Sequence, residues 1–506
     1  MKHFMLLCFS FFILCGCGET RTQRTDNGSA LFFTYHSYTP SQLVAHPDGT
    51  HILLKHINTT IPLGDEAITP ASNAKNQEND YKESDIALFA FEKEHRVLWQ
   101  KRIGNGEAND SHKMLVGPNQ DLYIIGSFVG TMSIDEVSIT SGMITNSNGS
   151  TSYLLDFFVA RLDKTGKLVW LKQSQSNSGA GAYSLSVDKN GNVFLSGGFG
   201  GRLSMEGKTL EARTGHQVDT FVAKLDQAGN PVWLQHAVPV WELPFGQYRN
   251  VHQRVGLSSQ GELYLTGTFQ GEITWDGQTL KATPSTQQGQ PAQDIFVAKL
   301  DQDGKLEWLK GFGGEHQEQV DDMVIHSSGT ISLIGSFTEK TTFGTFNASA
   351  TNLLNPTKSG VGLWLATFSK DGDVQALDVI ETNATSYPKV RMASHTNDSV
   401  IVTGSYQGKV RIGGKITSSS EQPPYKRHVY ISKYSAKDGF EWTLSSGSID
   451  GEYRYPTHNV DAIDLDTEGQ LLMSGTFRGS FLLRGLQLVP AKETSEHTFV
   501  IRMMLP

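Results

Sequence analysis

The chain is predicted to adopt an all-β fold, a seven-bladed β-propeller of four-stranded blades closed by an N-terminal strand joining the last blade. Three features predict it. A motif recurs about every 68 residues, each copy carries two strand–turn–strand signatures, and one strand is surplus at the N-terminus where one is lacking at the C-terminus. Composition agrees. Hydrophobic residues make up 38% and charged residues 19% of the 506, and 51 Gly against 17 Pro suit many tight turns. A mean hydropathy of -0.31 excludes a bundle of membrane helices. The net charge of -9 supplies no basic field, so no nucleic-acid partner is expected.

The motif reads DFFVARLDKTGKLVW over 156–170, DTFVAKLDQAGNPVW over 219–233 and DIFVAKLDQDGKLEW over 294–308. Weaker copies cover 85–99, 362–376 and 428–442, and a half-copy over 498–504 nearly ends the chain. The closing positions 99, 170, 233, 308, 376 and 442 lie 71, 63, 75, 68 and 66 apart, so seven units fit residues 30–506. Within each copy apolar and polar residues alternate, a D-x-x-G turn follows whose Gly supplies positive φ, and a second run ends at Trp. This is a hairpin of strands C and D. An earlier hairpin of strands A and B precedes it, as in SLSVDKNGNVFLSG over 184–197 and VGLSSQGELYLTG over 255–267. After strand B comes F-x-G-x5-G-x2-L at 199–210, 269–280 and 477–488, expected to extend the sheet by a further turn. The last unit offers only A (460–466), B (470–477) and C (498–504). The alternating run 31–37 (LFFTYHS) is expected to complete it, which would leave no free sheet edge.

All three cysteines, Cys8, Cys15 and Cys17, precede this body, so no disulfide forms within it. Residues 1–16 read as an export signal: Lys2 is followed by an apolar run from Phe4 to Leu14 too short to span a membrane as a helix. Residues 17–29 are expected to be a flexible tether, since 18–29 are polar and aperiodic. The stretch Leu14-Cys15-Gly16-Cys17 resembles the bacterial lipobox, which implies that Cys17 becomes the lipidated first residue. Gly18 stands where an Asp would retain a lipoprotein at the inner membrane, and this implies outer-membrane sorting, periplasmic or surface-facing.

The pattern D-x-F-V-A-K-L-D-x-x-G-x-x-x-W, preceded by V-D-x-x-G-x-x-Y-L-x-G, resembles the bacterial seven-bladed β-propeller repeat family (SBBP repeats) over essentially the whole mature chain. The copies at 85–99, 362–376 and 428–442 depart from it, with Ala376 for Trp and Ser369 or Ser435 for Asp. The resemblance implies a fold and an exported location but no common reaction. The stretch 162–170 also resembles the tryptophan-docking repeat of quinone-dependent propellers and of a lipid-anchored component of the β-barrel assembly machinery.

Trp99, Trp170, Trp233, Trp308 and Trp442 recur once per unit and are expected to pack unit against unit. Residues 201–209 mimic a phosphate loop but place five residues between glycines where the nucleotide motif has four, so a hairpin turn is the better reading. Asp464, Asp466 and Asp301, Asp303 mimic the start of a calcium loop without its closing Glu, and read as turns. H-E-x-x-H, C-x-x-C and G-x-S-x-G are absent, and no cofactor, metal or catalytic residue is nominated.

Aligning the A strands puts Leu43, Met114, Leu185, Val255, Met323, Met392 and Ile463 between sheets. The adjacent register then faces a central channel with Gln42, Lys113, Ser184, Arg254, Asp322, Arg391 and Ala462, and Asp464 lies two residues further on. Lys113, Arg254, Asp322, Arg391 and Asp464 are therefore the candidate ligand contacts at the channel mouth. Asp322 is expected between two guanidiniums, a salt-bridge ring or a seat for an anion or sugar. Trp241, Phe245, Tyr248, Tyr453 and Tyr455 lie in aromatic loops on the same face and are candidate partner contacts. His112, His252, His316 and His458 precede A strands. The expected role is a lipid-anchored, non-catalytic binding or scaffold module for envelope proteins or glycans. The alternative is a propeller enzyme, a glycan lyase or hydrolase or a quinone-dependent oxidoreductase, with its site at the channel mouth.

Overall fold

Alternating runs joined by short Gly turns can pair only as antiparallel hairpins, and each repeat folds as a four-stranded meander. The computed structural model describes residues 20–25, 27–34, 41–58, 60–61, 63, 67–71, 85–105, 109–147, 149–212, 218–240, 253–285, 292–350, 353, 360–382, 389–418, 427–448, 457–490 and 496–506. All-β architecture holds throughout them, with no helix. In the first sheet Gln42–Ala45, His51–Ile57, Asp85–Phe91 and Val97–Ile103 pair in that order. The second runs Asn109–Val116, Leu122–Phe128, Asp156–Leu162 and Leu168–Gln173, and the third Ala180–Val187, Val193–Phe199, Asp219–Leu225 and Pro231–Val240. Arg254–Leu257, Leu263–Phe269, Asp294–Leu300 and Leu306–Phe312 make the fourth. Glu318–Ile325, Ile331–Thr338, Val361–Phe368 and Val374–Thr382 make the fifth. The sixth comprises Val390–Ser394, Ser399–Gln407, Arg427–Ser435 and Gly439–Ser445. A last meander of Thr457–Leu465, Leu471–Arg478 and His497–Met503 takes Gly28–Thr34 as its fourth strand. The surplus N-terminal strand thus pairs with the C-terminal one.

Strands B and C are buried on both faces, and their side chains alternate between the preceding and the following sheet. Ile124 and Phe158 pack with Ile52 and Leu88 of the first sheet, whereas Tyr123 and Phe157 pack with Leu195 and Phe221 of the third. The same arrangement recurs along the chain. It includes a core in which Leu31, Phe33, Leu472 and Val500 of the last sheet meet Leu43, Leu53 and Phe89 of the first. First strands of successive sheets touch one another in sequence, and Thr457–Leu465 touches Gln42–Ala45.

The recurring Trp docks on the turn Gly of the next unit. A Cβ on Gly166, Gly229, Gly304 or Gly372 would come within 3.0, 3.0, 2.9 and 2.7 Å of the rings of Trp99, Trp170, Trp233 and Trp308. Trp170 and Trp233 also donate their indole N–H to Gln227 O at 3.1 Å and Gln302 O at 3.0 Å in the same turns. The D-x-x-G signature therefore answers two requirements at one residue, a positive φ (83° at Gly229) and room for a neighbour's indole.

Two expectations are corrected. F-x-G-x5-G-x2-L does not extend its own sheet: it forms a separate hairpin, as in Arg202–Met205 with Lys208–Glu211. Two such hairpins, beginning at Glu272–Trp275 and Lys409–Ile412, pair with the fourth strand of the preceding sheet. Positive φ at both Glu206 and Gly207 gives the tight turn that the phosphate-loop mimic contains. The tether assignment also fails for residues 20–25 and 28–29, because Thr20–Thr25 pairs antiparallel with Gly28–Thr34 and adds an outer strand to the last sheet.

Candidate functional site

The first strands carry the charged register, and their side chains reach from each strand to the backbone of the next. Gln42 Nε2 donates to Ser111 O at 3.3 Å, Val255 N donates to Ser184 Oγ at 3.0 Å, and an Arg254 amine donates to Asp321 O. Met392 N donates to Asp322 Oδ2 at 2.9 Å, Arg391 Nε donates to Asp461 O at 2.8 Å, and Ala45 N donates to Asp464 Oδ2 at 2.8 Å. The last of these bonds joins the last sheet to the first. Asp322 therefore does not sit in an ion pair between two guanidiniums: both arginines are spent on carbonyls, and the carboxylate caps a backbone amide.

Lys113 is the exception in this register. Among the described residues its ammonium has no hydrogen bond and no ion pair. Burial, with Arg254 and Arg391 adding to it, lowers its pKa from the ordinary lysine value, while Asp322 and Asp464 act in the opposite sense. Burial likewise raises the pKa of Asp464.

Two acids that alternation assigns elsewhere join this ring. The second, fifth and last sheets each have a β-bulge in the first strand, between Ser111/Lys113, Val320/Asp322 and Val460/Ala462. The extra residue shifts the side-chain phase. Asp461 accepts from Ser41 N and Ser41 Oγ, both at 3.1 Å, across the join between last and first sheets. Burial pushes Asp321 up to about 7 against the pull of Arg391 and Arg254, and its Oδ2 is buried without a partner. The adjacent acids Asp321-Asp322 in an otherwise alternating strand were the signal that a bulge was present.

The three described candidate histidines do not converge. His112 lies in the second sheet's bulge, 2.8 Å from Ser127 Oγ, and His316 is 3.0 Å from Glu339. His458 lies in the last sheet, 3.0 Å from Ser446 Oγ and 2.9 Å from Ser480 O, and burial lowers its pKa to about 3. Each is held by local partners at a different junction. The remaining candidates, Cys17, Trp241, Phe245, Tyr248, His252, Tyr453 and Tyr455, lie outside the described residues, as does the export signal. The calcium-loop mimics are turns: Asp466 Oδ1 accepts from Glu468 N and Gln470 N, both at 2.9 Å, and Asp301 Oδ1 accepts from Asp303 N and Lys305 N at 2.9 and 2.8 Å. Among the described residues no group of three or more His, Cys, Asp or Glu is arranged to hold a metal ion, and no helix is long and apolar enough to cross a membrane.

No family model matches the chain, and no curated protein matches it. Similar solved structures include lignostilbene dioxygenase from Pseudomonas brassicacearum, with TM-score 0.40 and 8% identity over 92% of this chain and 93% of that one. Puromycin hydrolase aligns with TM-score 0.30 and 10% identity over 73% of this chain and 58% of that one. The NanB sialidase of Streptococcus pneumoniae aligns with TM-score 0.24 and 10% identity over 94% and 83%. Likeness at this level assigns no activity.

Proposed function

We propose that this protein is a lipid-anchored envelope β-propeller of the SBBP-repeat kind, with seven blades closed by the N-terminal strand. In this reading it binds a protein or glycan partner without catalysis. The closed ring is supported by the apolar core shared by the last and first sheets and by the cycle of contacts among first strands. Anchoring through Cys17 and an outer-membrane address rest on the lipobox-like stretch and on Gly18.

The observation that carries the binding role is Lys113. Its neighbours in the register satisfy one another through backbone bonds and so hold the first strands together. Lys113 holds nothing: its buried ammonium lies in the field of Arg254, Arg391, Asp322 and Asp464 with no hydrogen bond of its own among the described residues, which leaves it to an anionic or hydroxyl-rich group. Dispersal of the histidines among separate local partners speaks for binding over acid–base chemistry.

The test uses the full chain in its own membrane. Wild type, Cys17→Ser and Lys113→Met are solubilised in detergent, and co-purifying proteins and glycans are compared, followed by an anion and glycan screen on purified protein. Cys17→Ser is expected in the soluble fraction. Lys113→Met is expected to weaken retained ligands at least about tenfold, the weight of one charge-assisted contact, with an unchanged circular dichroism spectrum. Identical ligand profiles for wild type and Lys113→Met, and also for Arg254→Ala with Arg391→Ala, would sink the axial site.

A further inference from the structure

Repetition supplies an internal control for every buried charge. The stretch from each C strand to the next A strand aligns without gaps in the first, second and fourth units, which makes Asp85, Asp156 and Asp294 equivalent. Ile103, Ser174 and Phe312 are then equivalent, as are Asn109, Ala180 and Glu318. The aspartates share a structural task. Each is buried and fixes an upstream loop by accepting a backbone amide, from Ala71 at 2.7 Å, Gly142 at 2.8 Å and Thr283 at 2.9 Å.

The second oxygen of each aspartate is treated differently. Asp156 Oδ1 accepts from Ser174 Oγ at 3.1 Å. Asp85 Oδ1 and the amide nitrogen of Asn109 both lie against Gly104. In the fourth unit the hydroxyl is replaced by a phenyl ring and the neutral residue by an acid, so Asp294 Oδ1 is left buried without a partner. A Cβ on Gly313, the equivalent of Gly104, would overlap that carboxyl, so only a glycine lets the chain pass so close.

Asp294, Glu318 and Thr341 are 4%, 0% and 1% exposed. Glu318 Oε2 accepts from Gly314 N at 3.2 Å, and the Thr341 hydroxyl lies beside the same carboxyl. Of the basic residues around the cleft, Lys281 pairs with Glu272 at 2.5 Å and His316 with Glu339 at 3.0 Å, while the Lys340 side chain is exposed and pairs with neither carboxyl. Burial and the like charge of Asp294 push Glu318 up to about 8, and burial pushes Asp294 up to about 6. Asp294 lines a cleft of about 720 Å³, with Thr283, Gly313, Gly314, His316 and Thr342 among its walls, so solvent reaches Asp294, while Glu318 and Thr341 are buried outside the cleft wall. Two buried carboxyls with no cation between them must keep a proton or take up a metal ion. The two carboxyls and the Thr341 hydroxyl offer oxygen donors alone, the set a hard divalent cation accepts, and the one imidazole in the cleft wall, His316, faces Glu339 instead.

We propose that Asp294 and Glu318 bind a divalent cation of the calcium class at the base of this cleft, with the Thr341 hydroxyl and cleft water completing its oxygen shell. The full chain, freed of metal with chelator, is titrated with CaCl2, and separately with MgCl2 and with NaCl at matched ionic strength, by calorimetry and by thermal unfolding at pH 8. Saturable Ca2+ binding with a rise in melting temperature is expected for the wild type, with Mg2+ weaker and Na+ without effect. Glu318→Gln and Asp294→Asn are expected to weaken Ca2+ at least about tenfold, whereas Asp464→Asn keeps it. Should Asp294→Asn fail to fold, Glu318→Gln decides, because the equivalent position already carries Asn109. A wild type with no saturable response, a response that Glu318→Gln retains, or one that NaCl reproduces would overturn the proposal.

Discussion

Glu318 shows what one residue does when it departs from its repeat. Its carboxyl titrates near 8 in the fold and near 4.5 when unfolded. A folded-state pKa raised in this way means that the native protein holds the extra proton between those values. Stability is fully present below about pH 4.5 and falls as pH rises through 8. Glu318→Gln, which cannot ionise, is expected to be more stable than the metal-free wild type at pH 8.5 by up to about 3 kcal/mol, with the gap closing by pH 4.5. Chemical denaturation of both proteins in chelator at the two pH values measures this. An equal gap at both values would refute it. Glu318 was hard to single out from sequence because one acid in an alternating strand reads as a polar-face residue. The exception becomes legible when D294…E318 is set against D85…N109 and D156…A180. Lys113, Arg254, Asp322, Arg391 and Asp464 were legible at once, since alignment on the turns determines their phase. Asp321 and Asp461 were not, because a bulge adds one residue and shifts the phase, and its only trace in the sequence is the doubled acid Asp321-Asp322.

At the level of the hairpin, the turn glycine couples units. Gly229 and Gly207 have similar φ, 83° and 88°, but a Cβ on Gly229 would meet the Trp170 ring at 3.0 Å, whereas one on Gly207 would meet open space. Gly207→Ala should cost only the strain of a positive φ, about 1 kcal/mol. Gly229→Ala should cost about 2–4 kcal/mol, since the indole must also shift and its 3.1 Å bond to Gln227 O loosens. Equilibrium unfolding of the two variants separates the terms, and equal losses would mean the indole contact contributes nothing. The hairpins were legible because D-x-x-G admits few backbone paths. The placement of F-x-G-x5-G-x2-L was not: its five-residue spacing specifies a tight turn but not which sheet edge the turn will meet, and the partner strand belongs to the preceding unit.

Over the whole molecule, each sheet buries both faces of its middle strands against two neighbours, and the first and last sheets are no exception. Under the proposed closure no unit is terminal, so unfolding should be one cooperative transition. Removing residues 1–34 deletes Leu31 and Phe33 from the shared core and exposes His497–Met503 as an edge. This should cost at least about 3–5 kcal/mol, the loss typical of one large core side chain, and split the transition into steps. Removing residues 1–26 spares Gly28–Thr34 and should leave a single transition. Differential scanning calorimetry, through the ratio of van't Hoff to calorimetric enthalpy, reports the difference. A single unchanged transition after the longer deletion would contradict closure by this strand. The pairing of Gly28–Thr34 with His497–Met503 was foreseeable from counting strands, because a chain with one surplus and one missing strand has a single way to pair both.

The outer strand Thr20–Thr25 also limits where the molecule stands. If Cys17 carries lipid, only three residue steps separate the anchor from Thr20, a reach of about 10 Å even when fully extended. Under the proposed closure the body then rests against the bilayer on the rim of its last sheet, with the ring upright like a wheel on a road. Both mouths of the central passage open sideways, along the membrane surface. A binding partner would come from the neighbouring population on that surface rather than descend from the aqueous space above it.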